Sequence, residues 1–120
     1  MSVEAAAWSA TRERVARFAH RTPTVTCATL DRLSGLRLVF KCEQLQKVGA
    51  FKFRGAINAV MQLDEATATR GVVTHSSGNH AQALALAARL RGIAAHVVMP
   101  TSAKAVKRAA VEEYGAQVIS

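Results

Sequence analysis

Alternating strand and helix signals predict an α/β protein in which helices flank a parallel sheet, and three observations carry that expectation. From Gly71 onward, short valine-bearing runs alternate with alanine-rich helical stretches across short connections, the pattern of parallel βαβ units in a doubly wound sheet. Half of the residues are hydrophobic while only 5% are aromatic, which suits small-residue helices laid on short strands. The 120 residues make one domain the default and are enough to bury a core.

Taken in order, residues 3–20 predict a helix with Ala7, Val15, Phe18 and Ala19 on one face and Arg12, Glu13, Arg14 and Arg17 outward. Thr22-Pro23 stops it, because the residue before proline avoids the α region. Thr24–Thr26 is short and β-branched. Leu30, Leu33 and Leu36 suggest a short helix that stops near Ser34-Gly35, and Leu36–Cys42 reads as a strand. Residues 43–51 read as a loop, followed by a helix from Lys52 or Phe53 to Leu63 with Ile57, Val60 and Met61 inward. A strand at Gly71–His75, a helix at Asn79–Leu90 and a strand at Ile93–Met99, closed by Pro100, come next. A helix at Ala103–Tyr114 follows, with Gly115 as its C′ residue, and Ala116–Ile119 begins a further strand. So short a sheet leaves edges and one face poorly covered.

The formal charge of +8 comes from 16 basic and 8 acidic residues spread along the chain, which reads as solvated helix faces. Without long basic runs or aromatics for base stacking, no nucleic-acid partner is expected. Cys27 and Cys42 are the only cysteines. They have no C-x-x-C spacing and no zinc-type Cys/His spacing, so they read as reduced thiols of a cytoplasmic protein. The start at Ser2-Val3-Glu4 lacks a basic, then apolar leader, and no apolar run approaches a membrane span.

Chemistry concentrates in two segments. In Lys41–Ala56, Lys52 stands between Phe51 and Phe53, after Gly49-Ala50 and before Arg54-Gly55-Ala56. An amine that must lose its proton to attack a carbonyl is helped by apolar neighbours, which penalise the ammonium form. In Thr74–Gln82, short polar side chains and Gly78 lie between an apolar strand and an alanine-rich helix, where backbone N–H groups can hold an anion. Taken singly, these residues read more plainly. Lys52 is then a solvated lysine, Ser76 and Ser77 are helix caps, and His80 is a first-turn residue without a ligand. Phe51 and Phe53 become core, and His75 and His96 become satisfied structural residues within strands.

In this order and on these elements, the two segments together resemble the serine/threonine dehydratase and serine racemase family, from about Thr22 to the last residue. These are pyridoxal-phosphate enzymes of the tryptophan-synthase-β fold class (fold type II). The resemblance implies pyridoxal 5′-phosphate as cofactor. Lys52 corresponds to the lysine that forms the Schiff base and then takes the substrate's α proton. Phe51 corresponds to the aromatic flanking the cofactor ring, and Asn79 to the amide that hydrogen-bonds its 3′ oxygen. Ser76, Gly78 and His80 match the loop that receives the substrate carboxylate. Ser77 matches the hydroxyl on the ring face opposite the lysine; biosynthetic threonine dehydratases usually carry alanine there, whereas racemases and hydroxyaspartate dehydratases carry serine. Lys47, Gln82 and Tyr114 match a nucleotide site of the racemase branch, from which Cys27, Ala28 and Val48 depart.

By the same resemblance, the glycine-rich phosphate loop, the group facing the pyridine nitrogen and the acidic metal site belong beyond residue 120. Gly71, Gly78 and Gly92 form no phosphate cradle, and no metal site is expected here. The chain reads as the amino-terminal third of an enzyme, with residues 1–71 opening the large cofactor-binding domain and 72–120 an incomplete small α/β domain. The implied activity is an ammonia-lyase reaction, converting L-serine or L-threonine to a 2-oxo acid and ammonia. The alternatives are a serine racemase or hydroxyaspartate dehydratase, and an inactive truncated chain. The expected partners are a small amino-acid substrate and, at full length, a second copy of the chain, with neither nucleic acid nor membrane.

Overall fold

The structure is a computed structural model and describes residues 5–120, with side chains from residue 7 onward. The first helix, α1 (Ala5–Ala16), ends before Thr22-Pro23, and the predicted residues 3 and 4 lie outside the described residues. Of its expected inner face, Val15 is half-buried and packs on the α3 cluster described below, while Ala7 is exposed. Phe18 and Ala19 pack there too, from the turn that follows the helix; their amides donate to the Val15 carbonyl at 3.1 and 2.9 Å. Strand β1 (Thr24–Val25) and helix α2 (Ala28–Ser34) come next, the latter closed by Gly35.

The strand expected at Leu36–Cys42 shrinks to β2 (Phe40–Lys41), paired antiparallel with β1. Its first half has no partner strand; the Leu38 amide instead donates to Asp31 Oδ1 at 2.8 Å. β-rich composition does not make a strand without a ladder to join. The loop at 43–51 is tighter than expected, holding 3₁₀ turns at Glu43–Leu45 and Lys47–Gly49.

Helix α3 (Lys52–Gln62) buries Ile57 and Val60 as the spacing predicts, together with Phe53 and Ala56, while Met61 is half-buried. A short helix that the apolar pattern did not signal, α4 (Glu65–Ala68), follows. Its cap is Asp64, whose carboxylate accepts the Thr67 amide at 2.8 Å and the Thr67 hydroxyl at 3.0 Å. Then β3 (Val72–His75), α5 (Asn79–Arg91), β4 (Ala95–Val98), α6 (Ala105–Glu113) and β5 (Gln117–Ile119) alternate as expected.

β3, β4 and β5 form a parallel sheet in that order, with Val73 opposite His96 and His96 opposite Gln117. Consecutive crossovers of one hand, running one way across a sheet, put their helices on the same face. That is the arrangement here. Ala81, Ala85 and Ala88 of α5, Val111 of α6, and Ala95 and Val97 of β4 share one buried cluster. The helices therefore flank one face rather than both. Val73, Val98 and Ile119 point out of the other face and are exposed, as the sparse sheet predicted.

Helix α5 is buried on two sides. Opposite its sheet face, Ala83, Leu84 and Ala87 pack on Phe53, Ala56, Ile57 and Val60 of α3. Only a side chain as small as alanine lets both neighbours approach so closely, which explains the Ala-rich run. Arg91 at the end of α5 ties the same pair of helices together: its guanidinium donates to the Val60 and Leu63 carbonyls and pairs with Glu65 at 3.0 Å.

Gly71, which leads into β3, has φ +76°, and a Cβ there would stand 2.7 Å from the Ala94 carbonyl oxygen. Neither the left-handed backbone nor the adjacent strand has room for a side chain. Gly71→Ala should lower unfolding stability by about 2 kcal/mol or more. Denaturant titration checks this, and an unchanged midpoint would contradict the close approach of these two backbones.

Candidate active site

Lys52 is the first residue of α3, and Phe51 precedes it as the helix N-cap. The expected apolar niche is not what the structure shows. Lys52 is exposed, its Nζ stands over the Phe51 ring at 5.0 Å from the centroid, and Phe51 is itself 60% exposed. Phe53, the other flanking aromatic, points the opposite way into the α3–α5 cluster because alternate residues at a helix start face different sides. Nothing among the described residues encloses the amine, and it makes no hydrogen bond to them.

The second segment runs off the carboxyl end of β3. The Ser76 amide donates to the Val98 carbonyl at 3.1 Å, adding one rung to the sheet. The chain then turns through Ser77 and Gly78 into α5. Gly78 is the N-cap, with no side chain to satisfy the first turn; Ser76 Oγ instead accepts the Gly78 amide at 3.3 Å. Ser76 and Ser77 are therefore not the helix caps that their type suggests. Asn79 and His80 open the helix, both exposed, and the amides of its first turn lack partners within it. Such a turn, at the carboxyl end of a parallel strand and the N-terminus of a 13-residue helix, is where anions are bound in α/β sheets. His80 also lines a groove of about 370 Å³ with Thr74, Leu84 and Val60.

His75 and His96 lie on the uncovered sheet face, and neither side chain makes a hydrogen bond among the described residues. They are not the satisfied structural histidines that their strand positions suggested, because no second layer among the described residues packs over them. Lys47, Gln82 and Tyr114 fall on three separate elements: the second 3₁₀ turn, the first turn of α5 and the end of α6. Lys47 Nζ lies 5.5 Å from the Phe53 ring centroid, and Tyr114 packs against the sheet cluster. No hydrogen bond joins the three among the described residues. Cys42 is buried and Cys27 half-buried, both free thiols.

A polar group that sequence reading did not single out lies beside Lys52. Arg54 donates through Nε to Glu43 Oε2 at 2.8 Å and through a terminal nitrogen to Glu43 Oε1 at 2.7 Å. That nitrogen also reaches the His20 carbonyl at 3.1 Å. Thr22, buried, donates its hydroxyl to Glu43 Oε1 at 2.5 Å, and Lys41 Nζ donates to the Thr22 carbonyl at 2.6 Å. Gln46, also buried, brackets the His20 backbone, accepting its N–H at 2.8 Å and donating to its carbonyl at 2.9 Å. The only signal in the sequence was a lone glutamate and an arginine on either side of the lysine within its segment. Arg54's hydrogen bonds hold the Glu43 carboxyl at about 2, against burial, with Thr22 and the charges of Arg54 and Lys41 adding to the same effect. Glu43's hydrogen bond likewise pushes the Arg54 guanidinium up.

These features sit within a known family. Residues 15–120 match the model of the family described as pyridoxal-phosphate dependent enzyme, and the chain belongs to that family. It is 55% identical over 107 residues to a serine racemase of Arabidopsis thaliana, covering 89% of this chain and 32% of that protein. It is 56% identical over 107 residues to an L-threo-3-hydroxyaspartate ammonia-lyase of a Pseudomonas species, covering 89% of this chain and 34% of that protein. The structure of maize serine racemase superposes with a TM-score of 0.89 at 50% identity, over 92% of this chain and 34% of that one. The fold is thus the α/β fold of the fold type II pyridoxal-phosphate enzymes, and the chain spans about a third of the length of the relatives it matches.

The residues present fit the family's cofactor. A lysine amine without a hydrogen-bond partner among the described residues stands beside an exposed aromatic face, and a helix start with unpaired first-turn amides opens the neighbouring α5.

Because Glu43 titrates lower in the folded state than its ordinary 4.5, its contribution is fully present above about pH 4.5 and is lost as the pH falls towards about 2. Glu43→Gln should remove that part of the acid sensitivity. Unfolding stability measured between pH 2 and 6 should then slope less steeply than in the parent, and equal slopes would contradict the pairing.

Proposed function

We propose that the whole protein to which this chain belongs moves the α proton of a small β-hydroxy amino acid, L-serine in the first place. It either returns the proton on the opposite face or lets the β-hydroxyl leave, giving a 2-oxo acid and ammonia. The observation that carries this reading is the pair of helix starts: a free amine on α3 and a serine-glycine turn on α5, with Ser77 in that turn. The relatives named racemase and ammonia-lyase support both outcomes from one site.

In this reading Lys52 would hold the cofactor covalently, Phe51 would flank its ring, and Asn79 would hydrogen-bond its oxygen. The bound cofactor supplies an electron sink for the charge left at Cα. The turn at Ser76, Gly78 and His80, with the free amides of the α5 N-terminus, takes the substrate carboxylate and so orients the Cα–H bond. Lys52 Nζ, released once the substrate's own amine takes its place, would accept the α proton on its own side. Ser77 Oγ delivers a proton on the other side when the substrate is racemised. Residues to 71 open the larger, cofactor-binding part, and 72–120, which contain the parallel sheet of the described residues, begin the smaller one. A cytoplasmic homodimer is the assembly we propose. Lys47, Gln82 and Tyr114 are the residues that a nucleotide would meet.

A second reading, dehydration of 3-hydroxyaspartate, is favoured by one cation. Lys107 Nζ of α6 comes within 3.8 Å of the place a Cβ on Gly78 would occupy, so a positive charge stands beside the turn where a second carboxylate would lie. Comparing turnover of serine, threonine and 3-hydroxyaspartate by the full-length protein separates these readings.

Borohydride reduction of the cofactor-loaded full-length protein, followed by peptide mapping, should place the cofactor on Lys52. Lys52→Ala should hold no borohydride-fixed cofactor when no substrate is present, and label on another lysine of the parent would contradict the assignment. Ser77→Ala should cut racemisation by about a hundredfold or more while ammonia release falls less. Equal losses of the two would contradict Ser77's separate role.

A further inference from the structure

We infer that Glu43 and Arg54 are positioning residues for Lys52: their paired carboxylate and guanidinium form a clamp that fixes the start of α3, and through it the place of the amine. This rests on the reading of Lys52 as the residue that holds the cofactor.

Lys52 has no polar partner of its own among the described residues, and its amine stands over the face of Phe51. Its position is therefore set by its backbone. The segment just before it is not at ease. Val48, a β-branched residue, has φ 57° and ψ 14°, and Gly49 follows with φ +65°. A β-branched residue in the left-handed region is a genuine outlier, which persists only where the surroundings over-determine it. The turn is closed locally by the Gly49 amide on the Gln46 carbonyl at 2.8 Å. The first amides of α3 are bonded back into the same turn, Phe53 to the Ala50 carbonyl at 3.3 Å and Arg54 to the Phe51 carbonyl at 3.1 Å.

The clamp spans this strained turn. Glu43 lies before it, on the first 3₁₀ turn, and Arg54 lies after it, in the first turn of α3. Their two-point contact closes the ends of the segment on each other, at 2.8 and 2.7 Å. A fork of this kind sets direction as well as distance. Arg54 then reaches the His20 carbonyl, Thr22 holds Glu43 from the same side, and Gln46 brackets the His20 backbone from within the turn. The loop that presents Lys52 is thereby fastened to residues 20–22. An amine that must meet one atom of a bound cofactor gains from such rigidity, because small misplacements cost large factors in rate.

The test uses the full-length protein, first without cofactor. In Glu43→Gln and in Arg54→Lys, hydrogen exchange at the Gly49, Phe53 and Arg54 amides should speed up by about tenfold or more, while the amides of α5 and β4 keep their parent rates. On mixing with pyridoxal 5′-phosphate, colour should develop about tenfold more slowly in both variants. Arg54→Lys matters because it keeps the charge but loses the fork. Parent-like exchange at 49–54 in both variants would overturn the inference. So would acceleration spread equally through α5 and β4, which would make the pair a general prop of the fold, and so would an unchanged rate of colouring. The exchange arm judges the clamp without cofactor. If borohydride mapping of the parent labels a residue other than Lys52, it is the functional reading that fails.

Discussion

The contact between α3 and α5 is the constraint on which the rest of this structure depends. Lys52 begins one helix and Asn79 begins the other, so the way the two helices pack sets where the amine stands relative to the serine-glycine turn. The packing is made by large side chains on α3 against very small ones on α5. Phe53, Ile57 and Val60 are essentially without exposure, and so are Ala83 and Ala87 opposite them. Burying each of the large side chains is worth about 1.5–3 kcal/mol, which makes this seam a main source of stability as well as of alignment. Any larger residue at 83 or 87 would have to push α3 away.

The sheet supplies the second coordinate. β3 delivers the turn at its carboxyl end, and the Ser76–Val98 hydrogen bond keeps the chain in register for one residue beyond the strand. Helix α5 then crosses back over β3 and β4, with Ala81, Ala85 and Ala88 against the strands. Position along β3 and position on α5 are thus locked by separate contacts. Between them lie only Ser77 and Gly78, which turn the chain from the strand into the helix. The Glu43–Arg54 pair does for the lysine what the sheet does for this turn: it replaces a flexible approach with a fastened one.

Much of this was legible in the sequence, for physical reasons. The last five elements of the chain, β3 to β5, showed as strand and helix in alternation, and Ile57 and Val60 showed the buried stripe of α3, because amphipathic contrast survives wherever one side faces water. Helix α5 has little contrast because both its sides are covered, yet its alanines marked it as helical. Leu36–Val39 misled because β-propensity registers a side chain's fitness for a pleated surface, not the presence of a partner strand. The setting of Lys52 misled for a related reason. Neighbours in sequence at a helix start point to different sides, so Phe53 enters the core while Phe51 and Lys52 stay outside. The residues of the two motifs were found because they cluster along the chain. The roles of Glu43, Thr22 and Gln46 were not, since they lie in contacts across 11, 21 and 26 positions that no local pattern reveals.

The claim that the α3–α5 seam sets the geometry of the site can be tested by widening the seam without touching either motif. Ala83→Leu in the full-length, cofactor-loaded protein does this. The decisive reading is the visible-range circular dichroism of the bound cofactor, taken while the far-ultraviolet spectrum confirms intact helices. The account predicts a cofactor signal well below that of the parent, because Lys52 and the 76–80 turn no longer hold one asymmetric arrangement. A signal equal to the parent's, with the larger side chain in place, would contradict it.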